Sequence, residues 1–224
     1  MKYHAAGTML AAGLAIERGW AINLGGGMHH ACANSGMGWC PFDDITLAIR
    51  RVREASGGTL SKVLYIDCDA HQGNGVARDK LLFNDQDLYI LDVFNVDVYP
   101  GDEESWPAIN LPVHLRSGTR DAKYLECLAA ALRKADRDFP SPDMVFYNAG
   151  TDVLIDDPLG ALGVSAQGII NRDKMVWEHA FRASKAPLVM TLSGGYAANN
   201  AAVIAASIAN LMRTWSLHAQ GADK

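Results

Sequence analysis

The sequence predicts an α/β fold built on a parallel sheet, and three observations carry that expectation. Short, nearly continuous apolar runs recur at residues 20–24, 63–66, 88–93, 144–147 and 188–192. Runs without polar alternation suit strands covered on both faces, as in parallel sheets. Stretches with helical periodicity lie between them, and strand–helix–strand order implies right-handed crossovers. Four of the runs also lead directly into histidines, carboxylates or a tyrosine, as they would if one edge of a sheet held a site.

Each helical stretch has its own signals. Asp43 or Asp44 can cap a helix over 45–54. Thr119 with Asp121 opens a helix over 122–135, where Leu125, Leu128 and Leu132 form one apolar face. Ser165 caps a helix reaching about residue 182, and 197–215, rich in Ala and Ile, reads as another. The polar tail after Trp215 is expected to fray. No repeat, low-complexity segment or Pro/Ser/Gly linker divides the chain, so residues 1–224 read as a single domain.

Composition narrows the function classes. Hydrophobic residues make up 49 % of the 224, enough for a substantial core. Twenty Lys and Arg against 25 Asp and Glu give a net charge of -5, with no basic run to hold nucleic acid or an anionic membrane. No apolar stretch is long enough to span a bilayer, and the first ten residues lack the pattern of a secretory signal. Cys32, Cys40, Cys68 and Cys127 show no C-x-x-C spacing, which fits reduced thiols in a soluble, cytoplasmic protein.

In open α/β sheets, ligands bind beyond the carboxyl ends of the strands. Run 20–24 leads into Gly25-Gly26-Gly27-Met28-His29-His30, and run 63–66 into Asp67-Cys68-Asp69-Ala70-His71. Run 144–147 leads into Asn148-Ala149-Gly150-Thr151-Asp152, and the last run into Ser193-Gly194-Gly195-Tyr196. In extended backbone Asp67, Asp69 and His71 share one face, with Cys68 and Ala70 on the other. An aspartate and an imidazole two residues apart can grip one metal ion, and Asp152 is the natural third ligand, which leaves a position open for water and substrate. A lone D-x-H arises often by chance. Carboxylates packed after an apolar strand nevertheless need partners, and Lys and Arg are sparse nearby. Beside a metal, His29 and His30 become candidates for acid/base work, although as an isolated dipeptide they would read as a surface accident. Tyr196 suits either core packing or a phenol that hydrogen-bonds an oxyanion.

Taken together, these motifs resemble the zinc-dependent histone deacetylases. The carriers are Gly26-Gly27-Met28-His29-His30, Asp67 through Gly75, Asn148 through Asp152 and Ser193 through Tyr196, in that order. Residues 17–23 and 69–75, with Tyr99-Pro100-Gly101-Asp102 and Asp157-Pro158-Leu159-Gly160, look most like the class IV branch. The resemblance runs from about Gly7 to Trp215. It implies a three-layer arginase/deacetylase-like fold, with a central parallel sheet flanked by helices.

The resemblance further implies zinc at Asp69, His71 and Asp152. It makes His29 and His30 the active-site histidine pair, with His30 as general base and acid, and Tyr196 the carbonyl-polarising phenol. Asp67 and Asn74 would stand behind the two histidines. Gly38, Trp39 and Gly195 would contact substrate, Trp39 packing against the methylenes of an acyl-lysine. A monovalent cation, K+ or Na+, is implied near Asp67. The implied reaction removes acetyl or longer acyl groups from lysine side chains. Deacetylation of polyamines or small amides is the nearest rival, and a silent binding protein the next; a two-manganese hydrolase fits one D-x-H and one distant Asp poorly.

This chain departs from the family pattern in three respects. Asn74 stands where many deacetylases carry aspartate, and an amide orients an imidazole without a carboxylate's charge. Met28 replaces an aromatic residue with a flexible filler. The family's segment before Gly7 has no counterpart, so an N-terminally incomplete sheet with an exposed hydrophobic edge is expected. Weakened stability and substrate grip would follow, or a homo-oligomer covering that edge.

Overall fold

The computed structural model describes residues 1–217. Helix α1 (Lys2–Arg18) leads into β1 (Trp20–Asn23), followed by α2 (Asp44–Ala55), β2 (Val63–Asp67), α3 (Asn74–Phe83), β3 (Leu88–Asn95) and β4 (Leu111–Leu115). The second half runs α4 (Asp121–Asp138), β5 (Met144–Asn148), α5 (Ala166–Glu178), β6 (Leu188–Thr191) and α6 (Asn200–Trp215). All six strands are parallel, in the order β1-β6-β5-β2-β3-β4.

The expected three layers are present, and the strands show why. Leu64 and Ile66 of β2, with Val145 and Tyr147 of β5, enter one core with α4, α5 and α6. Their alternates Val63, Tyr65, Met144 and Phe146 enter the other, with α1, α2 and α3. Every residue of β2, β3, β5 and β6 is buried, which is why these strands read as unbroken apolar runs.

Strand order places the site. From β2 the chain crosses through α3 outward to β3, and from β5 it crosses through α5 in the opposite direction to β6. The two helices lie on opposite faces of the sheet. The loops leaving β2 and β5 therefore diverge, opening a crevice at the topological switch point.

Several expectations about individual elements need correction. Asp43 caps α2 by accepting from the Thr46 amide at 2.9 Å, whereas Asp44 turns back to the glycine loop. Neither Thr119 nor Asp121 caps α4. The Thr119 hydroxyl bonds the Arg116 carbonyl, and Asp121 accepts instead from the Ser165 amide and hydroxyl at 2.7 and 2.6 Å. Ser165 does cap α5, but the helix widens into a π-turn over His179–Ser184. The last helix begins at Asn200 rather than 197, and beyond it Ser216 takes a left-handed cap while Leu217 is buried. Residues 218–224, most of the tail expected to fray, lie outside the described residues.

Three elements carried no sequence expectation. Helix α1 fully buries only small residues, Ala5, Thr8, Ala11, Ala12 and Ala15, with Met9 and Leu14 partly packed against the core, and turns Tyr3 and Leu10 outward, so no large apolar stripe advertises it. Helix α3 starts among glycines at 73 and 75. Strand β4 contains Pro112 and is half-exposed, which only a sheet edge tolerates. At the opposite edge, β1 pairs with β6 alone, and among the described residues no strand lies on its outer side.

Candidate metal centre and active site

The site is assembled from five loops at the carboxyl edge of the sheet. Beyond β2 the expected alternation persists: Cys68 and Ala70 pack into the core of α4–α6, and Asp67, Asp69 and His71 face the crevice. The Asp69 and His71 side chains meet Asp152, from the loop after β5, with ligand atoms of all three within 4.8 Å of one another. His71 Nδ1 lies 3.0 Å from Asp69 Oδ1 and 2.8 Å from Asp152 Oδ2. Residue exposures are 1, 7 and 0 % for Asp69, His71 and Asp152, so these groups need one another or a cation.

That donor set fits zinc. One imidazole nitrogen and two carboxylate oxygens converge in a buried crevice, as in a three-ligand catalytic site. The protein holds the donors in place from behind. Asp152 Oδ1 accepts from the Ala70 amide at 2.8 Å, and Asp69 Oδ2 accepts from the Ser193 hydroxyl and the Gly194 amide at 2.8 and 2.9 Å. A Cβ at Gly194 would lie 2.6 Å from Asp152 Oδ2 and 2.7 Å from Asp69 Oδ2, so no larger residue fits against the carboxylates. In the metal-free site the imidazole carries the balancing charge. Burial opposes a charge on His71, but Asp152 and Asp69 outweigh it and raise the pKa to about 10.

The two adjacent histidines have unlike surroundings. His29 Nδ1 is 2.8 Å from Asp67 Oδ2, and His30 Nδ1 is 2.8 Å from Asn74 Oδ1. Burial disfavours charge on both. For His29 the Asp67 and Asp69 carboxylates overcome it and hold the ring well above the ordinary histidine range. His30 has only an amide behind it, so burial and the neighbouring His29 push its pKa down to about 3. The ring centroids lie 4.1 Å apart with the planes tilted by 46°, and their unlike partners push the two imidazoles in opposite directions.

The loop carrying them is secured on both sides. Asp44, the first residue of α2, accepts from the Gly27 and Met28 amides at 3.0 and 2.7 Å. The Gly75 and Val76 amides, at the start of α3, donate to the His29 carbonyl at 2.9 and 3.3 Å. Gly38 closes over His30 with φ +53, and a Cβ there would lie 2.4 Å from His30 Cδ2.

Above these groups a cavity of about 410 Å³ is lined by His30, Gly38, Trp39, His71, Tyr99, Leu159 and Tyr196. Trp39, 76 % exposed, meets Tyr196 edge-on at 5.9 Å, and Tyr99 stands edge-on to His30 at 5.0 Å. Burial, with Asp69 and Asp152 below, raises the Tyr196 phenol above its ordinary value, so it keeps its proton at neutral pH. Gly195 precedes Tyr196 but does not line the cavity; its carbonyl accepts from Asn200 Nδ2 at 2.9 Å.

Nothing in the structure supports the monovalent cation expected near Asp67, whose carboxylate is engaged by the protein itself. Its oxygens already receive His29 Nδ1, the Tyr65 hydroxyl, the Asp69 amide and Asn148 Nδ2, four partners for about four lone-pair positions.

Sequence reasoning missed Arg172 of α5, which is fully buried beneath the site. Its guanidinium donates to the carbonyls of Cys68 at 3.1 Å, Ala149 at 3.2 Å and Gly150, tying together the two loops that carry Asp69 and Asp152, and pairs with Asp173 at 2.9 Å. The signal was present: an arginine three residues after buried Ile169 and four before buried Val176 sits on the inward helical face.

The histone deacetylase domain family matches residues 1–212. Histone deacetylase 2 of Arabidopsis thaliana is 49 % identical over 211 residues, covering 92 % of this chain and 52 % of that protein. A probable deacetylase of Methanothermobacter thermautotrophicus is 31 % identical over 206 residues, 87 % of this chain and 59 % of its own length. The crystal structure of an acetylpolyamine aminohydrolase from Burkholderia pseudomallei superposes with a TM-score of 0.74 at 21 % identity, over 93 % of this chain and 61 % of that one. The chain thus spans about half the length of the curated relatives it matches.

Proposed function

This chain belongs to the histone deacetylase family, and we propose that it is a zinc-dependent hydrolase removing acetyl or longer acyl groups from lysine side chains. The observation that carries the reading is the buried Asp69–His71–Asp152 cluster directly beneath an apolar, aromatic-lined cavity that also holds His30 and Tyr196. Zinc held by the three residues would polarise the amide carbonyl and lower the pKa of the attacking water.

The chain's own groups do the rest. His30 is neutral at rest, and with Nδ1 engaged by Asn74 its Nε2 is free to take the proton of the attacking water. His29, paired with Asp67 and held well above the ordinary histidine range, would contribute positive charge next to the site. The protonated Tyr196 phenol supplies a hydrogen bond to that oxyanion. His30 then returns its proton to the departing amine, leaving a carboxylate and a free amine. Trp39 and Tyr99 flank the cavity, where they pack against the methylenes of a lysine stem and exclude water.

The test is turnover of acetyl- and long-acyl-lysine peptides beside acetylated polyamines, with wild-type protein and Tyr196→Phe. Peptide hydrolysis that falls at least about a hundredfold in the variant supports the reading, as loss of an oxyanion donor would. Preference for polyamines would move the substrate class to small amines. No turnover of any amide by zinc-loaded protein would leave a binding protein.

A further inference from the structure

We propose that Asp102 and Arg78 are positioning residues for His30: they fix the orientation of the Asn74 amide, and through it the tautomer of the imidazole. The inference rests on His30 acting as the base of the proposed hydrolysis.

An amide behind a histidine is ambiguous in a way that a carboxylate is not. A carboxylate accepts on either oxygen, so the ring nitrogen facing it must carry the proton. An asparagine presents an acceptor on one side and a donor on the other. With Oδ1 toward the ring, His30 Nδ1 is the donor and Nε2 keeps its lone pair. With the amide reversed, Nδ2 would donate to Nδ1 and the proton would sit on Nε2. That second tautomer has no lone pair at Nε2 to accept a proton.

The far side of Asn74 decides between them. Asn74 Oδ1 is 2.8 Å from His30 Nδ1, and Asn74 Nδ2 is 3.0 Å from Asp102 Oδ2 and 3.3 Å from Met37 Sδ. Both of these partners are acceptors. Reversing the amide would set Oδ1 against the Asp102 carboxylate and forfeit both bonds. Asp102 is in turn held by a two-pronged Arg78 pair, Nε to Oδ2 at 2.6 Å and Nη2 to Oδ1 at 2.7 Å. Its backbone is fixed as well: Gln72 Nε2 donates to the Asp102 carbonyl at 3.0 Å, and the Asp102 amide donates to Gln72 Oε1 at 3.2 Å. The path Arg78–Asp102–Asn74–His30 thus links α3 and the loop after β3 to the tautomer of one ring.

The experiment reads the His30 ring nitrogens by long-range proton–nitrogen NMR in the full chain labelled at histidine, alongside turnover. Wild type is expected to show the Nδ1–H tautomer. Asp102→Ala should populate Nε2–H and lower kcat about tenfold or more, with KM changed less than about twofold. Adding Asn74→Asp to Asp102→Ala should restore both readouts, because aspartate accepts in either orientation. Should Asp102→Ala fail to fold, the nearly isosteric Asp102→Asn removes the acceptor-only group and is expected to give a tautomer mixture. A wild-type tautomer in the folded Asp102 variant overturns the proposal, as does a double variant no better than the single. An inactive wild-type protein would sink the hydrolase reading, while the tautomer comparison would still decide this one.

Discussion

Replacing Arg172 by methionine removes a fully buried cation beneath the site while keeping most of its volume. The guanidinium is fully buried, donates to three loop carbonyls and pairs with Asp173 at 2.9 Å. Removing one partner of a buried ion pair costs about 3–5 kcal/mol, and each stranded carbonyl adds roughly 1 kcal/mol or more. Part of this is offset because Asp173 keeps the hydroxyls of Tyr147 and Ser207. A net loss of at least about 4 kcal/mol follows, a large share of the roughly 5–15 kcal/mol of a typical domain. At this chain length it corresponds to a Tm lower by about 10 °C. Urea unfolding followed by tryptophan fluorescence should show the midpoint falling at constant slope. Zinc affinity should drop in parallel, because the Cys68 and Gly150 carbonyls flank the loops holding Asp69 and Asp152. A loss under about 1 kcal/mol would refute the claim that Arg172 braces those loops.

Other perturbations probe separate parts of the account. Gly38→Ala puts a Cβ 2.4 Å from His30 Cδ2 at φ +53, so kcat should fall about tenfold or more; kinetics within twofold of wild type would show that the loop yields freely. In metal-free protein the pKa of His71 is raised to about 10 from an unfolded value near 6.5. Its contribution to stability is therefore complete below about pH 6.5 and lost as pH climbs through about 10. The Tm difference between wild type and His71→Asn should shrink across that window in EDTA, and a growing difference would reverse the sign of the argument. Tyr3 and Leu10, 93 and 64 % exposed on α1 beside β1, the edge strand of the described sheet, predict concentration-dependent self-association by light scattering. Leu10→Lys should weaken it, and a wild-type monomer at every concentration would contradict it.

The parts of this molecule legible in its sequence are those whose physics is local. Strands buried on both faces read as unbroken apolar runs, so β2, β3, β5 and β6 were found to within a residue or two of their ends. The alternation Asp67, Asp69, His71 placed three side chains on one face without any tertiary information, and the strand-end rule singled out Asp152. Legibility failed where burial inverted the usual pattern. In α1 the fully buried positions are small residues while Tyr3 and Leu10 face outward, and β4 hides behind Pro112 because an edge strand can spare an amide. It failed also where a role is set across the fold. Asp44 was a candidate cap but is a clamp on the Gly27 and Met28 amides, and nothing near Asn74 in sequence announces that Asp102, twenty-eight positions on, holds its amide.

The central claim is that Asp69, His71 and Asp152 hold one zinc ion, and metal content measures it most directly. Protein purified without chelator, or refolded with zinc, should carry about one zinc per chain, and Asp152→Ala should carry almost none while remaining folded. Wild-type protein without zinc, or a folded Asp152→Ala that keeps it, would contradict the assignment on which the rest of the mechanism stands.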